Sequence, residues 1–195
     1  MKIRVHPASA VIPLFPFLGI LTWGQTGLLW LCAVLHELAH VFTYRLCGIS
    51  MESVTLLPFG LCAVPKDSLR ISPKQEILCA AAGPLVNLLT VSLLLALPLP
   101  AESETVRYLL YCNAALCLVN LLPILPLDGG RILYYSLAVK WDASVCEAVC
   151  RRSGAVLISL LLAPSVAALI ADKNPSFVMI LGYLALYTAI RRGSI

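Results

Sequence analysis

Residues 36–40, His-Glu-Leu-Ala-His, place two histidines and a glutamate inside a long apolar segment, residues 26–47. On a helix, residues four apart lie on the same face, so the imidazoles of His36 and His40 could bind one metal ion together. Glu37 could act as general base on a water molecule and pass the proton to a leaving group. Ionisable side chains in such surroundings are costly and usually functional. The pattern therefore predicts a metal-dependent hydrolytic site rather than three polar packing residues.

The third ligand of such an ion must come from elsewhere in the chain. A catalytic zinc ion usually takes three protein ligands and keeps a fourth position for water. The candidates are His6, Cys32 and Asp128. His6 lies before the first long apolar segment, so we expect it at the edge of a membrane rather than beside the other two histidines. Cys32 shares the face of His36 but lies a full helical turn away along the axis. We therefore favour Asp128.

Asp128 belongs to an irregular stretch, residues 120–132, with the sequence NLLPILPLDGGRI. Pro123 and Pro126 remove helical hydrogen bonds, and the two glycines after Asp128 permit unusual backbone conformations. Such backbone is tolerated at membrane depth only where it is buried in protein or lines a cavity. A carboxylate at this place is a natural ligand, and with Glu37 it would balance the charge of Zn²⁺.

The elements that position these residues are expected to be membrane helices. Hydrophobic residues make up 60% of the chain and charged residues only 12%, whereas soluble domains are about a quarter charged. The apolar runs are long, with little strand-like alternation. We predict an all-α polytopic membrane protein, one membrane-embedded domain over 1–195, with about six transmembrane helices and a small strand-like cytoplasmic loop. The approximate spans are residues 8–23, 26–47, 76–98, 106–126, 154–171 and 176–190.

The distribution of basic residues predicts how these spans are oriented. With a cytoplasmic N-terminus, twelve of the fourteen Lys and Arg residues fall on the cytoplasmic side, and only Arg107 and Lys173 fall outside. Both termini of this multi-pass protein, expected in a bacterial cell membrane, are then cytoplasmic. His40 and Asp128 lie in the inner half of the bilayer. The stretch 127–153 would be cytoplasmic, as an amphipathic surface helix or as a solvated loop.

The first cytoplasmic loop contains one strand-like stretch, residues 53–64, with the sequence SVTLLPFGLCAV. Apolar residues give it hydrophobic faces, and Pro58 and Gly60 bend it. A substrate helix that is unwound for cleavage needs new partners for its backbone groups. We predict that this loop offers a strand edge to the substrate, with Phe59 and Gly60 among the substrate-binding residues. The alternative is a loop that lies on the membrane surface.

The motifs of this chain resemble those of the site-2 protease family of intramembrane zinc metalloproteases, and most of all its sporulation-type members. The likeness extends over nearly the whole chain and rests on VHP at 5–7, HELAH at 36–40, LLPFG at 56–60, AGPL at 82–85 and VNLLPILPLDGG at 119–130. Sporulation-type members carry a nucleotide-binding CBS domain after their last span. We expect neither a CBS nor a PDZ domain here, so control by nucleotide and a sigma-factor precursor as substrate are less well supported.

The resemblance also assigns roles to particular side chains. It implies that one zinc ion is bound by His36, His40 and Asp128. Glu37 is then the catalytic base. Asn120 would line the substrate path, although an interhelical hydrogen bond is its alternative role. We also predict that Pro126 is a substrate-binding residue. Asn87 is a further amide in an apolar segment, and we interpret it as a packing residue beside a Gly-Pro pair.

These features predict a zinc metalloendopeptidase that cleaves membrane-associated or single-span proteins near the cytoplasmic face, with sporulation or sigma-factor processing as the narrower expectation. The alternatives are an inactive relative that binds membrane segments and a membrane metal transporter, whose ligands would lie along a path. The expected partners are the protein substrate and the lipid bilayer, and a regulatory membrane partner stays open. No basic patch is interleaved with aromatic residues, so the sequence does not suggest a nucleic-acid partner. The eight cysteines form no CxxC pair and are predicted to pack as small hydrophobic residues.

Overall fold

The computed structural model describes most of the chain, and the described residues are mostly helical, as predicted. They are residues 2–5, 22–57, 60–66, 71–100, 102–172, 181, 182 and 185. The predicted first span (8–23) and sixth span (176–190) fall almost entirely outside them, as do His6 and Phe59. Two compact units are distinguished, Met1–Asn120 and Leu121–Ile195.

The first unit contains three strands and three helices. In chain order they are β1 (Lys2–Val5), α1 (Trp23–Leu46), β2 (Met51–Leu57), β3 (Gly60–Pro65), α2 (Pro73–Ala96) and α3 (Glu104–Asn120). The three helices pack against one another, and α1 also contacts β2 and β3. The second, third and fourth predicted spans therefore correspond to helices. The fourth was predicted to reach residue 126, but α3 ends at Asn120, because the prolines that follow cannot continue its hydrogen bonds.

Side-chain caps define where α1 and α2 begin. Thr22 Oγ1 accepts a hydrogen bond from the Gln25 backbone N–H at 3.1 Å, and Gln25 Oε1 accepts one from the Thr22 N–H at 2.9 Å. Ser72 and Gln75 form the same reciprocal pair before α2, with Pro73 at the first helical position. The caps satisfy backbone donors that a helix start leaves unpaired, so local sequence determines both starts.

The end of α1 is joined to the start of α2 by a buried polar contact. Tyr44 Oη donates to Glu76 Oε2 at 2.8 Å, and both side chains are buried. Tyr44 also packs with Met51 and Cys79 in a hydrophobic cluster. Tyr44 lies one helical turn after His40, so this contact helps to set the height at which the histidines lie against α2.

The predicted strand-like loop does form strands. β2 pairs antiparallel with β3, with Leu57 opposite Gly60, and pairs parallel with β1. The order β1–β2–β3 makes β2 the central strand, so among the described residues β3 has a strand partner on one side. A strand of this kind can pair with a further strand on its other side.

The helices of the first unit have apolar outer faces. On α2, Leu85, Leu89 and Leu93 lie four residues apart and are 50%, 65% and 58% exposed, whereas Asn87 of the same helix is fully buried. Both α1 and α2 are long and apolar enough to cross a membrane. An exterior of leucines over an interior of amides suits hydrocarbon better than water. These features indicate a membrane protein.

The second unit contains α4 (Asp128–Ala138) and α5 (Ala143–Asp172), which pack against each other. The stretch 127–153 is therefore mainly helical rather than a solvated loop. Residues 143–153 do not form a separate surface helix, because they belong to α5, which continues through the predicted fifth span, 154–171. Cys146 and Cys150 explain this continuity, since they lie four residues apart and both are buried, as in a helix that packs in a core.

Two glycines allow the chain to fold closely at the start of α4. A Cβ atom on Gly129 would lie 2.1 Å from the carbonyl oxygen of Leu121, and one on Gly130 would lie 2.5 Å from the carbonyl carbon of Ile124. Both obstacles are backbone atoms, so a larger residue could not be accommodated by a rotamer change. The buried Asp128 is thereby held as the first residue of α4, directly after this folded loop.

Candidate metal centre

Two imidazoles face each other inside the first unit. His36 and His40 lie one turn apart on α1, both are buried, and their Nε2 atoms are 3.2 Å apart. Two ligands of a tetrahedral zinc ion, each about 2.0–2.1 Å from the metal, are roughly 3.3 Å apart. The two nitrogens therefore already have the spacing of two ligands of one ion.

The hydrogen bonds at Nδ1 determine which nitrogen of each ring is available to a metal. His40 Nδ1 lies 2.7 Å from the backbone carbonyl oxygen of Cys79, which can only accept. His36 Nδ1 contacts Oδ1 of Asn87, which is likewise an acceptor. Each ring therefore carries its proton on Nδ1 in the neutral form, and the lone pair of each Nε2 points into the same space. Such partners are typical of metal-ligating histidines.

The space beside the two Nε2 atoms exists because residue 83 of α2 is glycine. A Cβ atom on Gly83 would lie 2.5 Å from Nε2 of His36 and 2.5 Å from Nε2 of His40. A point at that distance from both nitrogens is close to where a shared ion would lie. Gly83 thus leaves room for an ion, and any side chain at this position would occupy that room.

Asp128 is a carboxylate of the second unit. It is buried at the N-terminus of α4, where the helix dipole favours negative charge, and its Oδ1 lies 3.7 Å from Nη1 of Arg131. Among the described residues, His36, His40 and Asp128 are the group of buried donors that could hold a metal ion. Two imidazoles and one carboxylate are the number and kinds of ligand that catalytic zinc takes. The donor set fits a single zinc ion.

Residues 26–103 and 99–161 match Peptidase family M50, and these ranges include the His-Glu-Leu-Ala-His segment and Asp128. The chain belongs to peptidase family M50. The predicted family is therefore confirmed on the residues that suggested it.

Named relatives of this M50 chain come from bacteria and archaea. Stage IV sporulation protein FB of Bacillus subtilis is 33% identical over 138 residues, which are 69% of this chain and 47% of the relative. Zinc metalloprotease MJ0392 of Methanocaldococcus jannaschii is 32% identical over 140 residues, which are 69% of this chain and 40% of the relative. The chain thus spans less than half the length of each. The sporulation protein is one of several similar relatives, so the likeness does not single out the sporulation type.

The fold of the M50 chain is also similar to a solved structure. The site-2 protease from Methanocaldococcus jannaschii superposes with a TM-score of 0.70 at 24% identity, over 99% of this chain and 91% of that one. The predicted likeness to the site-2 protease fold is therefore confirmed. The number of six membrane spans stays a prediction.

The remaining predicted site residues lie at several places in the structure. Glu37 is half-buried on α1, next to His36. Asn120 is the last residue of α3, and its Nδ2 donates to the backbone carbonyl one turn earlier at 3.0 Å. Pro126 is half-buried and follows a cis peptide bond, and Gly60 is the first residue of β3. Phe59 lies outside the described residues, and the roles of all these residues stay predictions.

Cys32, an alternative third ligand, has a different environment. Its sulfur accepts a hydrogen bond from Nδ2 of Asn113 on α3 at 3.2 Å. Cys32, Cys112 and Cys117 are buried thiols, in keeping with the predicted packing role. The described donors that could share a metal with the histidines do not include Cys32.

Two contributors to this centre were not recognised from the sequence, although both lie within residues 82–87, AGPLVN. Asn87 was interpreted as a packing residue, but it is the hydrogen-bond partner of His36. Gly83 was noted only beside Pro84, but it provides the space next to both imidazoles. The available signal was their spacing of four residues, which puts both on one face of α2.

Proposed function

We propose that this chain is an intramembrane zinc metalloendopeptidase that hydrolyses peptide bonds of membrane-associated or single-span proteins near the cytoplasmic face. The observation that carries the proposal is the pair of Nε2 atoms 3.2 Å apart beside Gly83, buried among helices with apolar outer faces. The names of the relatives, which include zinc metalloproteases, support the choice of metal and of reaction.

In this proposal three side chains hold the ion: His36, His40 and Asp128. When bound, zinc supplies a Lewis acid that polarises the scissile carbonyl and makes water more acidic. Glu37 accepts the proton from the attacking water and delivers it to the leaving amine. Asp128 and Glu37 together carry two negative charges, which match one divalent cation and lower the cost of burying the site.

The proposed topology has six spans in one protease domain, residues 1–195, with both termini in the cytoplasm. The asymmetry of Lys and Arg supports this orientation. Described helices overlap four of the six proposed spans, and α1 and α2 meet the length and composition of a membrane helix. His40 then lies in the inner half of the bilayer, on the side that cytoplasmic water reaches.

Substrate recognition is proposed to use the outer side of β3. An unwound segment exposes backbone N–H and C=O groups that need partners in an apolar environment. β3 offers such groups, because its pairing with β2 uses one side of the strand. Asn120, Pro126, Phe59 and Gly60 are further proposed contacts of the substrate chain.

Replacing Pro58-Phe59-Gly60 by a flexible glycine-serine linker of equal length is expected to weaken substrate binding, because it removes the restriction that proline places on the backbone between β2 and β3. The KM for a single-span substrate should rise, while the zinc content stays that of the wild type. Normal binding and cleavage by this variant would show that the loop merely lies at the membrane surface.

The proposed ligand set is tested by zinc content. We expect about one ion per wild-type chain purified in detergent, and strongly reduced zinc in each of His36→Ala, His40→Ala and Asp128→Ala, because three ligands are the usual minimum for a catalytic site. His6→Ala is the matched control, as it removes the chain's third histidine, and it should keep its zinc. A full zinc content in Asp128→Ala would refute the assignment of Asp128 as the third ligand. Loss of zinc from His6→Ala would point to His6 instead.

A further inference from the structure

A chain of buried amides connects His36 on α1 to α3 through α2. Asn87 has no exposed surface, and Asn113 is 3% exposed. Asn87 Oδ1 contacts His36 Nδ1, and Asn87 Nδ2 donates to Asn113 Oδ1 at 2.9 Å. Asn113 Nδ2 in turn donates to the backbone carbonyl of Leu109 at 2.9 Å and to the sulfur of Cys32 at 3.2 Å. All the residues in this series of hydrogen bonds belong to the first unit.

The donor and the acceptor of every hydrogen bond in this series of amides follow from the bond at its far end, between Asn113 and the carbonyl of Leu109. The carbonyl of Leu109 can only accept, so it must face the NH₂ end of the Asn113 amide. The oxygen of Asn113 is then turned toward Asn87 and selects the NH₂ end of that amide. The oxygen of Asn87 is thereby turned toward His36, whose Nδ1 must carry the proton.

We propose that Asn113 is a positioning residue that selects the metal-binding tautomer of His36 through Asn87. The inference rests on the proposed zinc site, but it concerns a side chain two hydrogen bonds away from the imidazole. Without the acceptor at residue 113, the Asn87 amide can reverse and present its NH₂ group to His36. Nδ1 would then have to accept, the proton would move to Nε2, and Nε2 could no longer bind a metal.

The tautomer of His40 does not depend on an amide side chain in this way. Its Nδ1 faces the backbone carbonyl of Cys79, which cannot reverse its polarity as an amide side chain can. Only one of the two imidazoles therefore needs a relay of side chains. Loss of the relay should weaken the zinc site without abolishing it.

The relay is tested by titrating the zinc-loaded full chain with a chelator. Asn113→Leu, which keeps the branched arrangement of heavy atoms of asparagine, should lower zinc affinity by about tenfold, at the low end of the 10- to 100-fold typical of a lost outer partner. Asn113→Asp keeps an oxygen for Asn87 and should stay within about threefold of the wild type. A packing role alone predicts the opposite order, because leucine suits an apolar bundle and a carboxylate does not. Cys117→Ala, one turn away on α3, is the control and should change neither zinc affinity nor cleavage.

A double-mutant cycle with Asn87→Asp separates the relay from general destabilisation. A carboxylate at residue 87 accepts from His36 in either orientation, so residue 113 no longer matters for the tautomer. Asn113→Leu should then have little effect on zinc affinity in the Asn87→Asp background, although it has a large one in the wild type. Equal effects in both backgrounds would overturn the relay, as would an affinity of Asn113→Leu within about twofold of the wild type. If leucine prevents folding, Asn113→Ala is used in the same cycle.

The same titrations distinguish failure of the relay from failure of the proposed function. A zinc affinity that Asn113→Leu lowers only when residue 87 is asparagine supports the relay, even if the protein cleaves no substrate. Zinc-dependent cleavage with unaltered zinc affinity in Asn113→Leu would instead leave the protease in place and remove the relay.

Discussion

Replacement of Glu37 by glutamine is expected to abolish proteolysis while the protein keeps its zinc. Glutamine has nearly the same shape as glutamate, but it cannot accept a proton from water at neutral pH. Loss of a general base usually costs about 10²- to 10⁴-fold in rate. Because the proposed zinc ligands are other residues, the zinc content of Glu37→Gln should equal that of the wild type. Both quantities are measured on the same detergent-purified or reconstituted sample.

The matched control for this variant is Glu104→Gln, which removes the same carboxylate from an exposed position in the first turn of α3. Its cleavage rate and zinc content should be unchanged. Cleavage by Glu37→Gln at a rate near that of the wild type would remove Glu37 from the proposed mechanism. Loss of zinc from Glu37→Gln would instead assign Glu37 a role in binding the ion.

Substitution of Gly83 by alanine is expected to expel the metal. The added Cβ would lie 2.5 Å from both Nε2 atoms, in the space where an ion would bind. A Cβ atom cannot rotate away, so α2 would have to move from α1 to relieve the contact. We expect zinc affinity to fall by at least the roughly 10- to 100-fold that loss of an outer partner costs. Cleavage should be lost with it, as measured by zinc content and substrate turnover.

Gly27→Ala provides the control for Gly83→Ala. Gly27 lies in α1, and a Cβ at this residue would meet no atom within 4 Å. Alanine favours a helix over glycine by up to about 1 kcal/mol, so both variants should keep their helices. A Gly83→Ala protein with a full complement of zinc would mean that the two histidines do not share an ion at this place.

Local features of the chain were predictable because their physical causes are local. The pair of histidines four residues apart lies on one face of α1, since that follows from the helical repeat. The strand-like loop forms β2 and β3. Each of these outcomes depends on neighbouring residues in the sequence.

Features that depend on contacts between helices were not predictable in the same way. Nothing in the local sequence around Asn87 indicates that its amide meets His36, 51 positions away in the chain. Gly83 matters for the same reason, because its missing side chain leaves space next to a different helix. The continuity of α5 through 143–153 was also missed, since the charged residues Glu147, Arg151 and Arg152 concealed the buried pair Cys146 and Cys150.

The most direct measurement of the central claim is the identification of the cleavage product of a single-span substrate. The zinc-loaded chain and the substrate are reconstituted together in vesicles, and the fragments are identified by mass spectrometry. We predict one principal cut within the membrane-spanning segment, on the side nearer the cytoplasm, which disappears with a zinc chelator and in Glu37→Gln. An uncleaved substrate accompanied by zinc flux across the vesicle membrane would contradict the claim and identify a metal transporter.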